Sequence, residues 1–354
     1  MPANMTSNST EAPPEGFQFP RNIQIGVTIL AVIVFILAMI GNILVIYIVF
    51  TVRHMRSSTN TLIANMAFAD LLMTIDIPYI LKWPYVLNKW FGTFMGIVLC
   101  KFLHAAQVGS LAASVFSLVT ISLDRSFAIL FPMKKIMTRN VVRFAIAMTW
   151  LGAQALMLPL MIATKNIQLE GGDGMICDEY WPETMSPKAY ITALFVTAYV
   201  IPLIIIALVY CLAGLRLCNR KLPGHQNPTA HKKVQDSSRR ATTMLITVAV
   251  IFALSWLPFQ ALEMIRIYEQ ALLFEIPMKV RFVIPWFGYC NSAINPILYV
   301  IFSGNYRREF YRILCTGTSQ QSRSKVAVDD GYTQRQRRHR ASGETSNLEL
   351  DTYL

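Results

Sequence analysis

The chain has 354 residues, of which 54% are hydrophobic and only 15% charged, with a formal net charge of +12. A soluble domain of ordinary composition carries about 25% charged residues. The shortfall, concentrated in long apolar blocks, excludes a water-soluble globular protein. The excess of cations is confined to particular loops, so nucleic-acid binding is an unnecessary explanation.

Residues 1–24 form a polar segment, read as an extracellular tail. Asn4-Met5-Thr6 and Asn8-Ser9-Thr10 are glycosylation acceptors, which makes Asn4 and Asn8 candidate sites. Residues 1–22 lack the apolar core of a cleavable signal peptide, so the first span is expected to act as its own insertion signal. From Ile25 to Phe50 there is no Asp, Glu, Lys or Arg. At about 1.5 Å per residue a helix of that length crosses a roughly 30 Å hydrocarbon core with some tilt.

Blocks of the same type follow at 60–87, 97–131, 141–163, 188–214, 239–266 and 280–302. The expected fold is therefore an all-α membrane protein: a seven-transmembrane helix bundle over 25–302, a short amphipathic eighth helix over 303–315, and a disordered tail over 316–354. Seven crossings place the termini on opposite sides. Arg53, Arg56, Lys134, Lys135, Arg139 and a run from Arg216 to Arg240 occupy one set of loops. The alternate loops hold Glu170, Asp173, Asp178, Glu179, Glu183, Glu269 and Glu275. The cation-rich set belongs inside, which puts the N-terminus outside and the C-terminus in the cytoplasm of a plasma-membrane protein.

Compartment then sorts the cysteines. Cys100, at the outer start of the third span, and Cys177, in the second outer loop, share the oxidising side and are paired. Cys211, Cys218 and Cys290 fall in or below the membrane and read as thiols. Cys315 follows the amphipathic stretch Tyr306–Leu314, a placement suited to palmitoylation.

Several polar groups lie where a bilayer disfavours them. Asp70 is in mid-span, with Asn42, Ser114, Asn291, Ser292 and Asn295 as candidate partners on other spans. Such an acid either hydrogen-bonds a neighbouring helix in its protonated form or, ringed by oxygens, holds a sodium ion. The third span ends in Asp124-Arg125-Ser126, an adjacent pair able to hold its own guanidinium. Spans five, six and seven carry Pro202, Pro258 and Pro296, each an ordinary packing kink by itself. Together, beside Tyr210, Trp256 and Tyr299, they have the arrangement of hinges.

Gly41-Asn42, Phe68-Ala69-Asp70, Cys100, Asp124-Arg125, Trp150, Cys177, Pro202, Tyr210, Trp256-Leu257-Pro258 and Asn295-Pro296-Ile297-Leu298-Tyr299 occur in this order. The ordered set resembles the rhodopsin-like (class A) G-protein-coupled receptors over residues 25–315. The resemblance implies that Arg125 is released on activation to meet a G protein, and that Tyr210 and Tyr299 swing toward it. It implies that Phe252 and Trp256 relay ligand contact to the Pro258 hinge. Asp70, Asn42, Ser114, Asn291 and Asn295 would form a sodium and water site, the sole cofactor expected. Ser126 and Ser255 depart from the family pattern. Ser237-Ser238-Arg239-Arg240 supplies no acid to clamp Arg125, from which raised basal signalling is expected.

Gln107, seven residues after Cys100, stands where amine receptors of the family carry an aspartate, so an amine ligand is disfavoured. No lysine occurs in 282–302, which disfavours an opsin; Tyr289 lies near the depth a Schiff-base lysine would need. The stretch from Leu169 to Glu183 reads as a Gly-turned hairpin. Together with Trp90-Phe91-Gly92, it resembles receptors for short amidated neuropeptides. Asp76, Asp178, Glu179 and Glu263 suggest a cationic ligand, unless Arg266 and Arg281 neutralise the loop acids. The candidate ligand contacts are these four acids with Gln107, Trp256, Phe259, Gln260 and Tyr289.

In the tail, Ser319, Ser322, Ser324, Thr333, Ser342, Thr345 and Ser346 suit receptor kinases and, once phosphorylated, arrestin. Arg335–Arg340 suits anionic lipid. Thr352-Tyr353-Leu354 resembles a PDZ-protein ligand. The competing readings are a receptor for a non-peptide small molecule or lipid, and a secondary transporter. The latter would show internal repeats that this chain lacks. No nucleophile–base or metal-ligand constellation of an enzyme is present.

Overall fold

The computed structural model describes residues 19–316 apart from 83–84, 86–88, 132–133, 135, 169–174 and 219–227, and for 89, 217–218, 228–241 and 316 it describes the backbone alone. The expected sites at Asn4, Asn8, Glu170, Asp173 and throughout the tail to Leu354 lie outside the described residues, as do the side chains of Cys218 and Ser237–Arg240.

The bundle opens with α1 (Arg21–Thr51), α2 (Ser58–Leu81), α3 (Phe94–Leu130) and α4 (Arg139–Ala163). The fifth crossing is α5 (Pro187–Phe195), a π turn at Val196–Val200, and α6 (Ile201–Cys218). Then follow α7 (Pro228–Tyr268), a short α8 (Gln270–Glu275), α9 (Met278–Phe302) and α10 (Gly304–Thr316). Six crossings are long and apolar enough by composition to span a membrane. The seventh, α9, has the length, but buried Tyr289, Asn291, Ser292 and Asn295 dilute its hydropathy. The helices form a seven-helix bundle of a multi-pass membrane protein.

Local chemistry sets the helix starts. Ser57, Thr93, Thr138 and Ser186 are N-caps whose hydroxyls accept the backbone N–H of Asn60, Gly96, Val141 and Ala189. Pro187 follows at the first helical position, where its missing N–H costs nothing. The π turn stands immediately before Pro202: the Ile201 N–H reaches back to the Val196 carbonyl, and the widened turn absorbs the donor that Pro202 lacks.

The burial pattern is that of a protein in lipid. Ile29, Ile33, Ile36 and Ile40 of α1, and Ile204, Leu208 and Leu212 of α6, face outward. The interior holds Asn42, Asp70, Ser114, Asn291 and Asn295. α3 is central, packing on α2, α4 and α6. Ala69, Ala112, Ala113 and Ala153 form a small-residue seam that lets α2, α3 and α4 approach closely.

The Pro296 kink needs one particular neighbour. A Cβ added at Gly41 of α1 would lie 2.8 Å from both Cβ and Cγ of Pro296. A rigid ring cannot yield, so Gly41→Ala is expected to destabilise the bundle by about 1–3 kcal/mol, read as a lower thermal midpoint. An unchanged midpoint would show that α1 and α9 separate without cost.

At the opposite end of α3 from Arg125, β1 (Lys89–Trp90), β3 (Met175–Glu179) and β2 (Thr164–Gln168) form an antiparallel sheet in that order. Asn166 pairs with Cys177. The expected hairpin exists, but its first strand begins at Thr164, ahead of the stretch read from sequence. Thr164–Gln168 carries no alternating apolar pattern, and β1 was not expected. The expected Cys100–Cys177 disulfide is formed, with Cα atoms 5.7 Å apart, and fastens β3 to α3. α10, considered alone, carries an Arg312–Glu309 ion pair of 2.7 Å and an exposed Cys315.

Candidate functional site

Beneath the sheet lies a cavity of about 300 Å³ between α2, α3, α5 and α7. Gln107, Asp178, Glu179, Phe259, Gln260 and Glu263 line it, as does Arg266. The acids are not free. Arg266 donates from Nη2 and Nε to Glu263 Oε2 at 2.6 and 3.0 Å, and its Nη1 stands 3.8 Å from Glu179 Oε2. Glu179 also accepts from Trp181 Nε1 at 3.0 Å and lies 3.3 Å from His104 Nε2. An ionised carboxylate accepts only, so the Nε2–H of His104 donates to Glu179, and Nδ1 lies 3.2 Å from the Tyr79 hydroxyl. This chain joins β3, α2, α3 and α7.

Burial pushes the Glu179 carboxyl upward, but His104, Arg266 and Trp181 outweigh it and hold the group at about 2, below its ordinary 4.5. Asp178, whose Oδ1 accepts the Glu179 N–H at 2.8 Å, is pushed up, burial being the main cause. For a depressed carboxyl, the stabilisation is present above the unfolded value and is lost as pH falls through the folded one. The advantage in thermal midpoint of the wild type over Glu179→Gln should therefore be lost progressively as pH falls below about 4.5. A difference that stays unchanged well below that pH would place the charge elsewhere.

Three other expected ligand contacts lie outside this cavity's lining. Asp76 is buried, and its Oδ2 accepts the hydroxyl of Tyr289 at 2.8 Å, tying α2 to α9. This acid is already engaged by a helix neighbour. Trp256 is buried with its ring centroid 5.8 Å from that of Phe259, edge to face, and 6.4 Å from that of Phe252. Contact at Phe259 thus reaches Trp256 through one ring, next to Pro258 in α7. A Cβ at Gly288 would stand 2.9 Å from the Trp256 ring, so α9 holds the indole from behind.

Deeper in the bundle, Asp70 Oδ1 accepts from Ser114 Oγ at 3.1 Å and Oδ2 from Asn295 Nδ2 at 2.8 Å. Asn42 donates to the carbonyls of Ala38 at 2.9 Å and Ser292 at 3.0 Å. The Oδ1 atoms of Asn42, Asn291 and Asn295 are buried without a partner among the described residues. A carboxylate, a hydroxyl and unpaired amide oxygens are the donor set of a hard cation or of internal water.

At the far end of α3, Arg125 donates to Asp124 Oδ2 from Nη2 at 3.0 Å and Nε at 3.2 Å, and the Thr59 hydroxyl donates to the same carboxylate. The local pair expected from sequence is formed. Tyr210 is buried on α6, and the Tyr299 hydroxyl points to Met66 Sδ at 3.7 Å.

Residues 41–299 match the family model described as 7 transmembrane receptor (rhodopsin family). The chain belongs to that family. It is 31% identical over 287 residues to the RYamide receptor of Drosophila melanogaster, spanning 79% of this chain and 61% of that one. It is 33% identical over 295 residues to Neuropeptide FF receptor 2 of Mus musculus, spanning 78% and 70%. With Neuropeptide FF receptor 1 of Rattus norvegicus the identity is 32% over 296 residues, spanning 79% and 68%.

For this rhodopsin-family receptor, sequence reasoning missed His104, Tyr79 and Tyr190 in the cavity lining, and Trp181 as a donor to Glu179. It also left Asn65 without a role. Asn65 accepts from Trp150 Nε1 at 2.9 Å and donates to Ser117 at 2.8 Å, bridging α2, α3 and α4. The available signal was an amide in mid-span, facing a tryptophan that needs an acceptor.

Proposed function

We propose that the receptor binds a short, amidated, cation-bearing neuropeptide in the cavity under the sheet and promotes nucleotide exchange on a heterotrimeric G protein. The Arg125 end is read as cytosolic and the sheet end as extracellular, in the plasma membrane. The observation that carries the ligand class is the cavity's charge: Asp178, Glu179 and Glu263 against one guanidinium, Arg266, and the imidazole of His104. That imbalance suits an arginine or lysine side chain. Neutral Gln107 supplies amide hydrogen bonds and no counter-ion for a bare amine. The relatives named RYamide receptor and Neuropeptide FF receptor support the same class.

In this reading a peptide side chain pressing on Phe259 moves Trp256, and α7 bends at Pro258. Asp70 and Asn295 let the α9 kink rearrange, with a sodium ion favouring the resting packing. Arg125 then leaves Asp124 for the G protein, and Tyr210 and Tyr299 close behind it. Receptor kinases and arrestin would act on the tail, a PDZ protein at Thr352–Leu354, and palmitate at Cys315.

A peptide-library screen in cells carrying promiscuous G proteins, read by calcium, tests the reading. Response to amines with none to peptides would overturn it. With an activating peptide in hand, Glu263→Lys should raise the half-maximal concentration by well over about tenfold, because it faces Arg266 with a like charge and repels the ligand cation. An unchanged response would remove Glu263 from the site.

A further inference from the structure

One guanidinium stands between the acids of the cavity under the sheet, and its bonds to them are unequal. The two N–H groups that Arg266 gives to Glu263, from Nη2 and Nε, both end on the single oxygen Oε2. A guanidinium holds a carboxylate best by two parallel N–H···O bonds to two oxygens, and that fork is not made here. Its contact to Glu179 is longer, 3.8 Å from Nη1, beyond hydrogen-bond reach.

The acids also differ in what else holds them. Glu179 keeps His104 at 3.3 Å and Trp181 at 3.0 Å whatever Arg266 does. Glu263 pairs, among the described residues, with Arg266 alone. Asp178, the third acid of the lining, has no cation within 4 Å among the described residues, yet Arg266 is near enough to act on its charge. Arg266 thus has a second carboxylate to turn to, and Glu263 has no second cation.

The same side chain links two bodies. Glu179 belongs to β3, which the Cys100–Cys177 disulfide fastens to α3. Glu263 and Arg266 lie on α7 beyond Pro258. Through Arg266 the stretch of α7 past its proline is held to a strand fixed on α3.

We propose that Arg266 occupies the subsite taken by the ligand's own cation, a built-in placeholder that a guanidinium of the ligand displaces from Glu263 toward Asp178. The inference rests on the reading of this cavity as a peptide site. A neutral ligand that displaced Arg266 would strand a largely buried carboxylate, so the placeholder yields to cations and not to uncharged groups. Its departure from Glu179 also frees α7 from β3, which lets the helix move at Pro258. Arg266 is therefore a specificity-determining residue.

The test uses the full chain in nanodiscs, with N-acetylarginine amide and its uncharged isostere N-acetylcitrulline amide as probes, read by titration of the thermal midpoint. The arginine probe is expected to raise the midpoint of R266A and to bind it about tenfold or more tighter than the wild type, because the competing guanidinium is gone. The citrulline probe should distinguish neither protein, and R266A/E263Q should lose the gain. R266Q, which keeps most of the side-chain volume, should behave as R266A does and covers the case of a misfolded alanine variant. Equal binding of the arginine probe by the wild type and R266Q would overturn the inference. So would an equal gain with the citrulline probe, or a gain that survives in R266A/E263Q, since the vacated space and not the carboxylate would then be responsible. With an activating peptide, R266Q should lower the half-maximal concentration of an arginine-bearing sequence by about tenfold and not that of its citrulline analogue. A wild type that answers no peptide, beside an R266A variant that gains the arginine probe, would fail the peptide reading and leave the placeholder standing. Peptide responses without any gain for the arginine probe would do the reverse.

Discussion

Cys177→Ser is expected to destabilise the receptor by about 2–5 kcal/mol and to remove nearly all peptide binding. Cys177 sits in the central strand β3, immediately before Asp178 and Glu179, and its disulfide to Cys100 is the covalent link from that strand to α3. The bond closes a loop across a sequence separation of 77, so its loss returns considerable freedom to the unfolded chain. What remains on β3 is five residue pairs with β2, two with β1 and the ion pairs of Glu179. Thermal unfolding and surface binding of the single and double cysteine variants, with reductant on the wild type as a parallel, measure the effect. Binding that survives in Cys100→Ala/Cys177→Ala would show that sheet pairing alone positions the acids.

The second large effect is expected at Asn295. Asn295→Ala deletes the donor to Asp70 Oδ2 and leaves the Ser114 hydroxyl, which donates to Oδ1, beside a residue only 2% exposed. Removing one partner of a buried acid costs about 1–3 kcal/mol or more, because the abandoned oxygen loses its donor away from bulk solvent. It also unfastens α9 from α2 beside Pro296, so basal nucleotide exchange is expected to change along with stability. The matching cycle with Asp70→Asn should give a coupling of about 0.5–3 kcal/mol. Strict additivity would mean that the two groups do not act together. Sodium should alter agonist affinity in the wild type and not in Asp70→Asn; equal sodium dependence in both would remove the ion from this site.

How much of this was legible depends on the range of the physics. Spans of apolar residues are local, and so are their cap residues and kinks; Ile25–Phe50 announces a membrane helix without reference to any other part of the chain. α9 was legible for a different reason: its polar residues lower its hydropathy but match a motif order. The hairpin was only half legible. Met175–Glu179 had a cysteine to tether it, whereas Thr164–Gln168 becomes a strand because β3 offers it a ladder.

Asp76 shows the limit most clearly. An acid in apolar sequence suggested a ligand contact, yet the phenol that engages it is 213 residues away. Glu263 and Arg266, three residues apart on one helix, were within reach of a sequence argument. The union of Glu179, His104, Tyr79 and Arg266 was not, because it draws on a strand and three helices.

By itself the sequence determined the membrane class, the seven crossings, the disulfide pairing and the order of the family's pattern residues, since each follows from local composition, spacing or the family pattern. The tertiary structure decided which acids face the cavity under the sheet, which are spent on Arg266 or Tyr289, and why Gly41 must stay small against Pro296. Those depend on distances through space between helices, and a helix's own periodicity does not specify what stands across from it.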